Sequence, residues 1–162
     1  MKPEPVPPTT RLDTLLGWFL AVVMGLSVVN VLWQVFTRFV LSNPSSYTEE
    51  LARYLLIWIG LVGAAYAAGR RMQLAIDLLP NHLAGRSRMV LGVVIEILVA
   101  AFALAILVIG GLRLVLLTLS LGQTSAALGI PLGYVYVALP LSGILIVWYA
   151  ARDVVDQLRA AR

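Results

Sequence analysis

The sequence predicts an all-α integral membrane protein with four transmembrane helices, both termini cytoplasmic, and a third helix that is long and tilted. Three observations carry that expectation. The chain of 162 residues is 60% hydrophobic and 12% charged, against about 45–50% apolar and about 25% charged in soluble domains. With a mean hydropathy of +0.93, so short a chain has more apolar surface than one small core hides, and a bilayer is its natural solvent. Four stretches reach the roughly 20 apolar residues that a helix needs to cross the hydrocarbon. The connections between them differ sharply in arginine content, which fixes an orientation.

The first span runs from about Leu15 to Val40 and follows a proline-rich tail over residues 1–12. Its apolar run is far longer than the about 7–15 residues of a signal-peptide core, and no small-x-small cleavage pattern closes it. The second span covers about Leu51 to Ala68. Ser46-Tyr47-Thr48-Glu49 ahead of it fits a capping box, so its helix is expected to start near Tyr47, with Glu49 and Glu50 at the positive end of its dipole. Glu49 and Arg53 are four apart and can pair on one face. Gly17, Ala21 and Gly25 in the first span, and Gly60, Ala64 and Ala68 in the second, sit at four-residue spacing, a pattern that lets helix backbones approach closely in lipid.

The third span covers about Met89 to Leu119. Pro80 can open its helix, which then extends from Asn81 over about 40 residues and roughly 60 Å. The hydrocarbon core is only ~30 Å thick, so this helix must tilt, protrude or break, with Gly110-Gly111 as a weak point. It carries two embedded polar residues. Glu96 lies about 12 Å inward of Arg88, a depth at which an acid suggests either function or an interaction with Arg86 or Arg88. Arg113, about two turns from the outer end, can snorkel outward. The fourth span covers about Ile130 to Ala151, with Pro131 suited to a first helical turn and Pro140 expected to kink the interior. The division is a tail over residues 1–12, one transmembrane domain over 13–152 and a basic tail over 153–162.

Arginine sets the orientation. Lys2 and Arg11 precede the first span; Arg70, Arg71, Arg86 and Arg88 lie in the second connection; Arg152, Arg159 and Arg162 close the chain. The connection over residues 120–129 has no charge. Retention of positive charge then places both termini inside. Trp18, Tyr66, Trp148 and Tyr149 fall at the inner interface. Trp33, Tyr47, Tyr54, Tyr134 and Tyr136 fall at the outer one, and Trp58 sits deeper.

Much chemistry is excluded. The net charge is +4, but the basic residues are scattered, which reads as topology signalling and not as a nucleic-acid surface. Without cysteine there is no disulfide, thiol chemistry or Cys-based metal site. There is one histidine, His82, in a connection, and no HExxH, GxSxG or Walker pattern. No enzymatic activity, cofactor or metal is therefore expected. Coupled transport by this chain alone has only Glu96 as internal equipment, so an accessory subunit fits better than a small self-assembling proton-coupled transporter using Glu96. A purely structural membrane protein is the third reading.

Read together, Glu49-Glu50-Leu51-Ala52-Arg53-Tyr54, then Trp58, Gly63-Ala64-Ala65-Tyr66 and the Arg70-Arg71 pair, Asp77-Leu78-Leu79, and finally Ala127-Leu128-Gly129-Ile130-Pro131 with Tyr136 and Pro140, resemble a known family. This is the small membrane subunit of tripartite ATP-independent periplasmic (TRAP) transporters, and the likeness spans nearly the whole chain. The family often has a histidine where Gln73 stands. The resemblance implies an inner-membrane protein working beside a large membrane subunit, which carries the substrate and sodium sites, and a periplasmic substrate-binding protein that delivers an organic acid. In that frame Glu49, Glu50 and Arg53 are expected to contribute to binding-protein docking on the periplasmic side. Arg70, Arg71 and Asp77 are expected to anchor the cytoplasmic side.

Overall fold

The computed structural model describes residues 10–41, 45–70 and 86–160, with the side chains of 86–89 and 160 outside the description. Within them are four helical stretches long and apolar enough to span a membrane, as the sequence predicts. Arg71, Asp77, Pro80 and His82 lie outside the described residues, as does the expected start of the third helix at Asn81.

Helix α1 (Arg11–Phe39) opens on a capping box that pairs Thr10 with Asp13, so two amides at its start are satisfied by side chains. Helix α2 (Ser46–Gly69) opens differently from expectation. Its N-cap is Ser45, which makes no side-chain cap bond. The third helical position is then Thr48 and not Glu49, so the Ser46–Glu49 capping box does not form. The Ser45 hydroxyl instead lies 2.8 Å from that of Thr48.

The third crossing joins three pieces: α3 (Arg86–Phe102), a π-helical segment (Ala103–Gly110) and α4 (Gly111–Ser120). In the π segment the Gly111 amide donates to the Ile106 carbonyl, five residues back, and toward Leu107 and Val108. The return to α geometry falls at the Gly110-Gly111 weak point. The apolar crossing covers Val90–Ser120, 31 residues, or about 46 Å. It therefore tilts or protrudes from a ~30 Å core.

The fourth crossing is also broken. Helix α5 (Leu132–Tyr136) stops at Val137, and α6 (Ala138–Ala160) resumes directly. Pro131 is the N-cap of α5, with extended backbone, and not its first turn. Pro140 falls in the first turn of α6 and not in a helix interior, because the chain breaks before reaching it. Proline has no amide for the carbonyl four residues back, which here belongs to Tyr136, the last residue of α5. The expected bend is thus a break placed three residues earlier.

The helices stand in a row. Helix α1 packs on α2, α2 on α6, and α6 on α3 and the π segment, while α4 and α5 pair as a hairpin; among the described helices α1 approaches the backbone of α2 alone. Such a row has no shared interior. Large apolar side chains such as Trp18, Leu32, Leu56, Leu98 and Leu116 are exposed, as helices facing lipid or a partner require. The starts of α1 and the later half of α6 meet at one end, the termini end. The end of α1, the start of α2 and the loop over residues 121–131 lie at the other, the loop end.

Close approach uses other glycines than those picked out by spacing. A Cβ on Gly17 would sit at an ordinary 3.8 Å from the Tyr66 hydroxyl, and one on Gly25 or Gly60 would meet nothing within 4 Å. Ala21 and Ala64 are exposed. Gly69, Gly111, Gly133 and Gly143 are the buried ones. A Cβ on Gly69 would lie 2.5 Å from the Tyr149 ring, one on Gly143 2.7 Å from Leu107 Cβ, one on Gly111 2.9 Å from Leu139 Cβ, and one on Gly133 would collide with Leu119.

Candidate functional site

The loop end is where polar chemistry gathers. Thr48, fully buried in the first turn of α2, turns its hydroxyl back to the Ser45 carbonyl at 2.7 Å. Its own carbonyl accepts from Asn30 Nδ2 at 2.8 Å. Asn30 is a buried amide within the apolar run of α1, and this bond satisfies it while fixing α1 against α2. Trp33 Nε1 donates to the Tyr47 hydroxyl at 3.1 Å, a second tie between the same helices.

Glu49 and Glu50 are adjacent in sequence and opposite in role. Glu49 faces outward and pairs with Arg53 at 3.4 Å, both side chains well exposed at 70% and 65%. An exposed pair of this kind contributes at most about 1 kcal/mol, so both groups are available to a partner. Glu50 turns inward. Its Oε2 accepts from the Ser125 hydroxyl at 2.5 Å, the Ala127 amide at 2.8 Å and the Leu128 amide at 3.2 Å. Its Oε1 accepts from the Tyr54 hydroxyl at 2.8 Å and the Ala126 amide at 3.2 Å. Three successive amides converging on one carboxylate form a nest, a concavity that favours an anion.

The loop is shaped for that nest. Gly122 and Gly129 adopt φ of +61° and +66°, a left-handed conformation that glycine takes without steric cost. Between them the Ser125 amide donates to Ile130 O and the Gly129 amide to Ser125 O. Thr124 and Pro131 bridge antiparallel. The outward surface of the loop carries Gln123, Ala126, Ala127 and Ile130, uncharged and exposed.

A second polar cluster closes the termini end. Asp13 Oδ2 accepts from the Thr10 amide and hydroxyl, both at 2.7 Å, and Asp13 Oδ1 accepts from the Tyr149 hydroxyl at 2.5 Å. Asp13 and Tyr149 are buried. The Tyr149 ring lies over Gly69, whose missing side chain makes the room. The bond thus joins α1 to α6 across the last turn of α2. Arg70 follows directly, half-buried, with Nη1 out of solvent and without a hydrogen-bond partner among the described residues.

Of the residues expected to matter, Glu49, Glu50 and Arg53 come together at the loop end, and Arg70 stands at the termini end. Glu96 is half-buried on α3 and engaged within the chain. Arg113 is exposed on α4. Sequence reasoning missed Asn30, Ser125, Asp13 and Gly69, and it placed Tyr54 and Tyr149 in interfacial belts, whereas both are buried hydrogen-bonding groups. Thr10-x-x-Asp13 was a readable signal for the cap. Nothing local pairs Glu50 with a loop 75 residues away. Among the described residues no cluster of histidine, aspartate or glutamate could hold a metal ion.

Residues 27–160 match the family described as tripartite ATP-independent periplasmic transporters, DctQ component. The chain is 38% identical over 78 residues to the sialic acid TRAP transporter small permease protein SiaQ of Vibrio cholerae, covering 48% of this chain and 45% of that protein. It is 30% identical over 134 residues to the ectoine TRAP transporter small permease protein TeaB of Halomonas elongata, covering 80% and 69%. Similarity to the isethionate TRAP transporter permease protein DctMQ of Oleidesulfovibrio alaskensis is 28% over 113 residues, covering 70% of this chain and 18% of that one. The match thus spans less than half the length of the Vibrio and Oleidesulfovibrio relatives. Nearly all of the described helical region, with the Glu50 nest inside it, falls in the matched range, and the chain belongs to the DctQ-component family of TRAP transporters, as a multi-pass protein of the bacterial inner membrane.

Proposed function

We propose that this chain is the small, non-catalytic membrane subunit of a TRAP-type importer, bracing a large transport subunit and helping to dock a periplasmic binding protein that delivers an organic acid for sodium-coupled uptake. The observation that carries the bracing role is the single row of helices. A protein that moves solute by itself needs a polar site enclosed between helices near mid-membrane. Here both broad faces are open and apolar, and the described polar side chains cluster mainly at the two ends. A row of this kind suits lying along a larger membrane protein. The isethionate relative supports it: a match covering 70% of this chain takes up only 18% of that one, so the equivalent region there is part of a much longer chain.

The loop end is the periplasmic face in this reading. Glu49 and Arg53 are the contact groups, and Glu50 contributes by holding the loop beside them. Arg70, with Arg71 and Asp77, anchors the opposite face, and the open small residues Gly25 on α1 and Gly60 on α2 are each available to a partner helix. The test is copurification of the tagged chain with the large subunit, followed by uptake in proteoliposomes. The complex should form, and removal of this chain should abolish uptake. Replacing Glu49 and Arg53 by alanine should raise the binding-protein concentration needed for half-maximal uptake several-fold without loss of the complex. Full uptake by the large subunit alone would overturn the proposal. Loss of all transport by the Glu96→Gln chain in an intact complex would favour a proton-coupled role instead.

A further inference from the structure

The helical irregularities of this chain coincide in space. The π segment ends at Gly110, where α4 takes over from Gly111, and the fourth crossing breaks at Val137, just before Pro140. These sites abut: a Cβ on Gly111 would lie 3.0 Å from Pro140 Cδ, and one on Gly143 3.1 Å from the Val108 amide nitrogen. Both crossings therefore lose regular α-helical bonding at one level, where a bend is cheapest. Beyond that level, residues 111–137 form a well-knit hairpin. Leu119 of α4 fills the space over Gly133 of α5, the Gln123 amide bonds Thr118 O, and the Leu132 amide bonds Gln123 O. The hairpin has few contacts with α2 and α6. Its polar tie to α2 is the Glu50 carboxylate in the Ser125–Leu128 nest.

We propose that residues 111–137 are a hinged outer unit that pivots at the level of Gly111 and Val137, with Glu50 the positioning residue that latches it to α2. The partner-facing loop then owes its place to one side chain, and a load applied to the loop is taken up at the hinge and not along the whole of α3 and α6. This goes beyond the docking role and does not depend on which partner binds.

The chain has no cysteine, so spin labels can be placed in pairs on the full-length protein in lipid nanodiscs. Cysteines at Leu41 and Gln123 report the outer unit, and cysteines at Leu15 and Trp148, all four exposed positions, report the inner half. Glu50→Gln keeps the shape of the side chain but puts a donor amide where hydrogen-bond donors converge. The outer distance distribution is expected to broaden while the inner one stays unchanged. Amide exchange at Ala126, Ala127 and Leu128 is expected to quicken at least about tenfold, as when charge-assisted bonds are lost. An outer distribution as narrow as in the parent would overturn the latch. Equal broadening of both pairs would overturn the hinge, since the whole chain would then have loosened.

Discussion

Single side chains decide how the two ends of this protein are held. The Tyr149–Asp13 bond is buried and joins the first and last helices. Tyr149→Phe should lower stability by about 1 kcal/mol, the usual size for one hydrogen bond in water or in a membrane protein; unfolding in mixed micelles measures it. Gly69→Ala should cost more, about 1–3 kcal/mol, because its Cβ meets the Tyr149 ring at 2.5 Å. Gly25→Ala and Gly60→Ala have open space and should change the isolated chain by less than about 0.5 kcal/mol. At this scale the sequence is only partly legible. Charge and spacing disclose the Glu49–Arg53 pair, since both partners share one helix face. They do not disclose Glu50, whose donors belong to a distant loop. Nor do they tell Gly25 from Gly69, because the spacing of small residues does not say which face meets a neighbour.

Helices as units were more legible than the breaks in them. Hydrophobic length alone marked the four crossings, since the bilayer imposes one length on all of them. Gly110-Gly111 marked the level at which the third crossing changes geometry, but no local signal foretold eight residues of π helix, because the run is uniformly apolar and the close neighbour of its Leu107 and Val108, Gly143, is distant in sequence. Pro140 likewise signalled a disturbance without its position. Pro140→Ala restores an amide that can reach the Tyr136 carbonyl. We expect α5 and α6 to merge into one helix, with the Ala138 and Leu139 amides more protected from exchange and the loop drawn away from Glu50; the Val137 amide already bonds Gly133 O at 3.1 Å. Hydrogen exchange followed by mass spectrometry checks both. Unchanged protection at Ala138 and Leu139 would mean that packing against α4, and not the missing amide, sets the break.

Whole-molecule orientation follows from arginine distribution and not from packing. The termini end should face the cytoplasm. A fluorescent protein fused after Arg162 should therefore glow, and alkaline phosphatase fused at Gln123 should be active; the opposite pair of results would invert the chain. The row arrangement itself was not legible, because apolar periodicity is weak when most faces meet lipid or protein alike. It has a consequence for the bilayer. Helix axes about 8–10 Å apart make a plank roughly 30 Å between its outer axes and one helix thick. Laid against a larger membrane protein, such a plank gives up one broad face and keeps the other for annular lipid. It thus widens the perimeter that the assembly presents to the bilayer while adding little to its depth. The long third crossing sits at the edge of the row, where bilayer thickness is felt directly, so transport by the assembly should respond to acyl-chain length through this small chain.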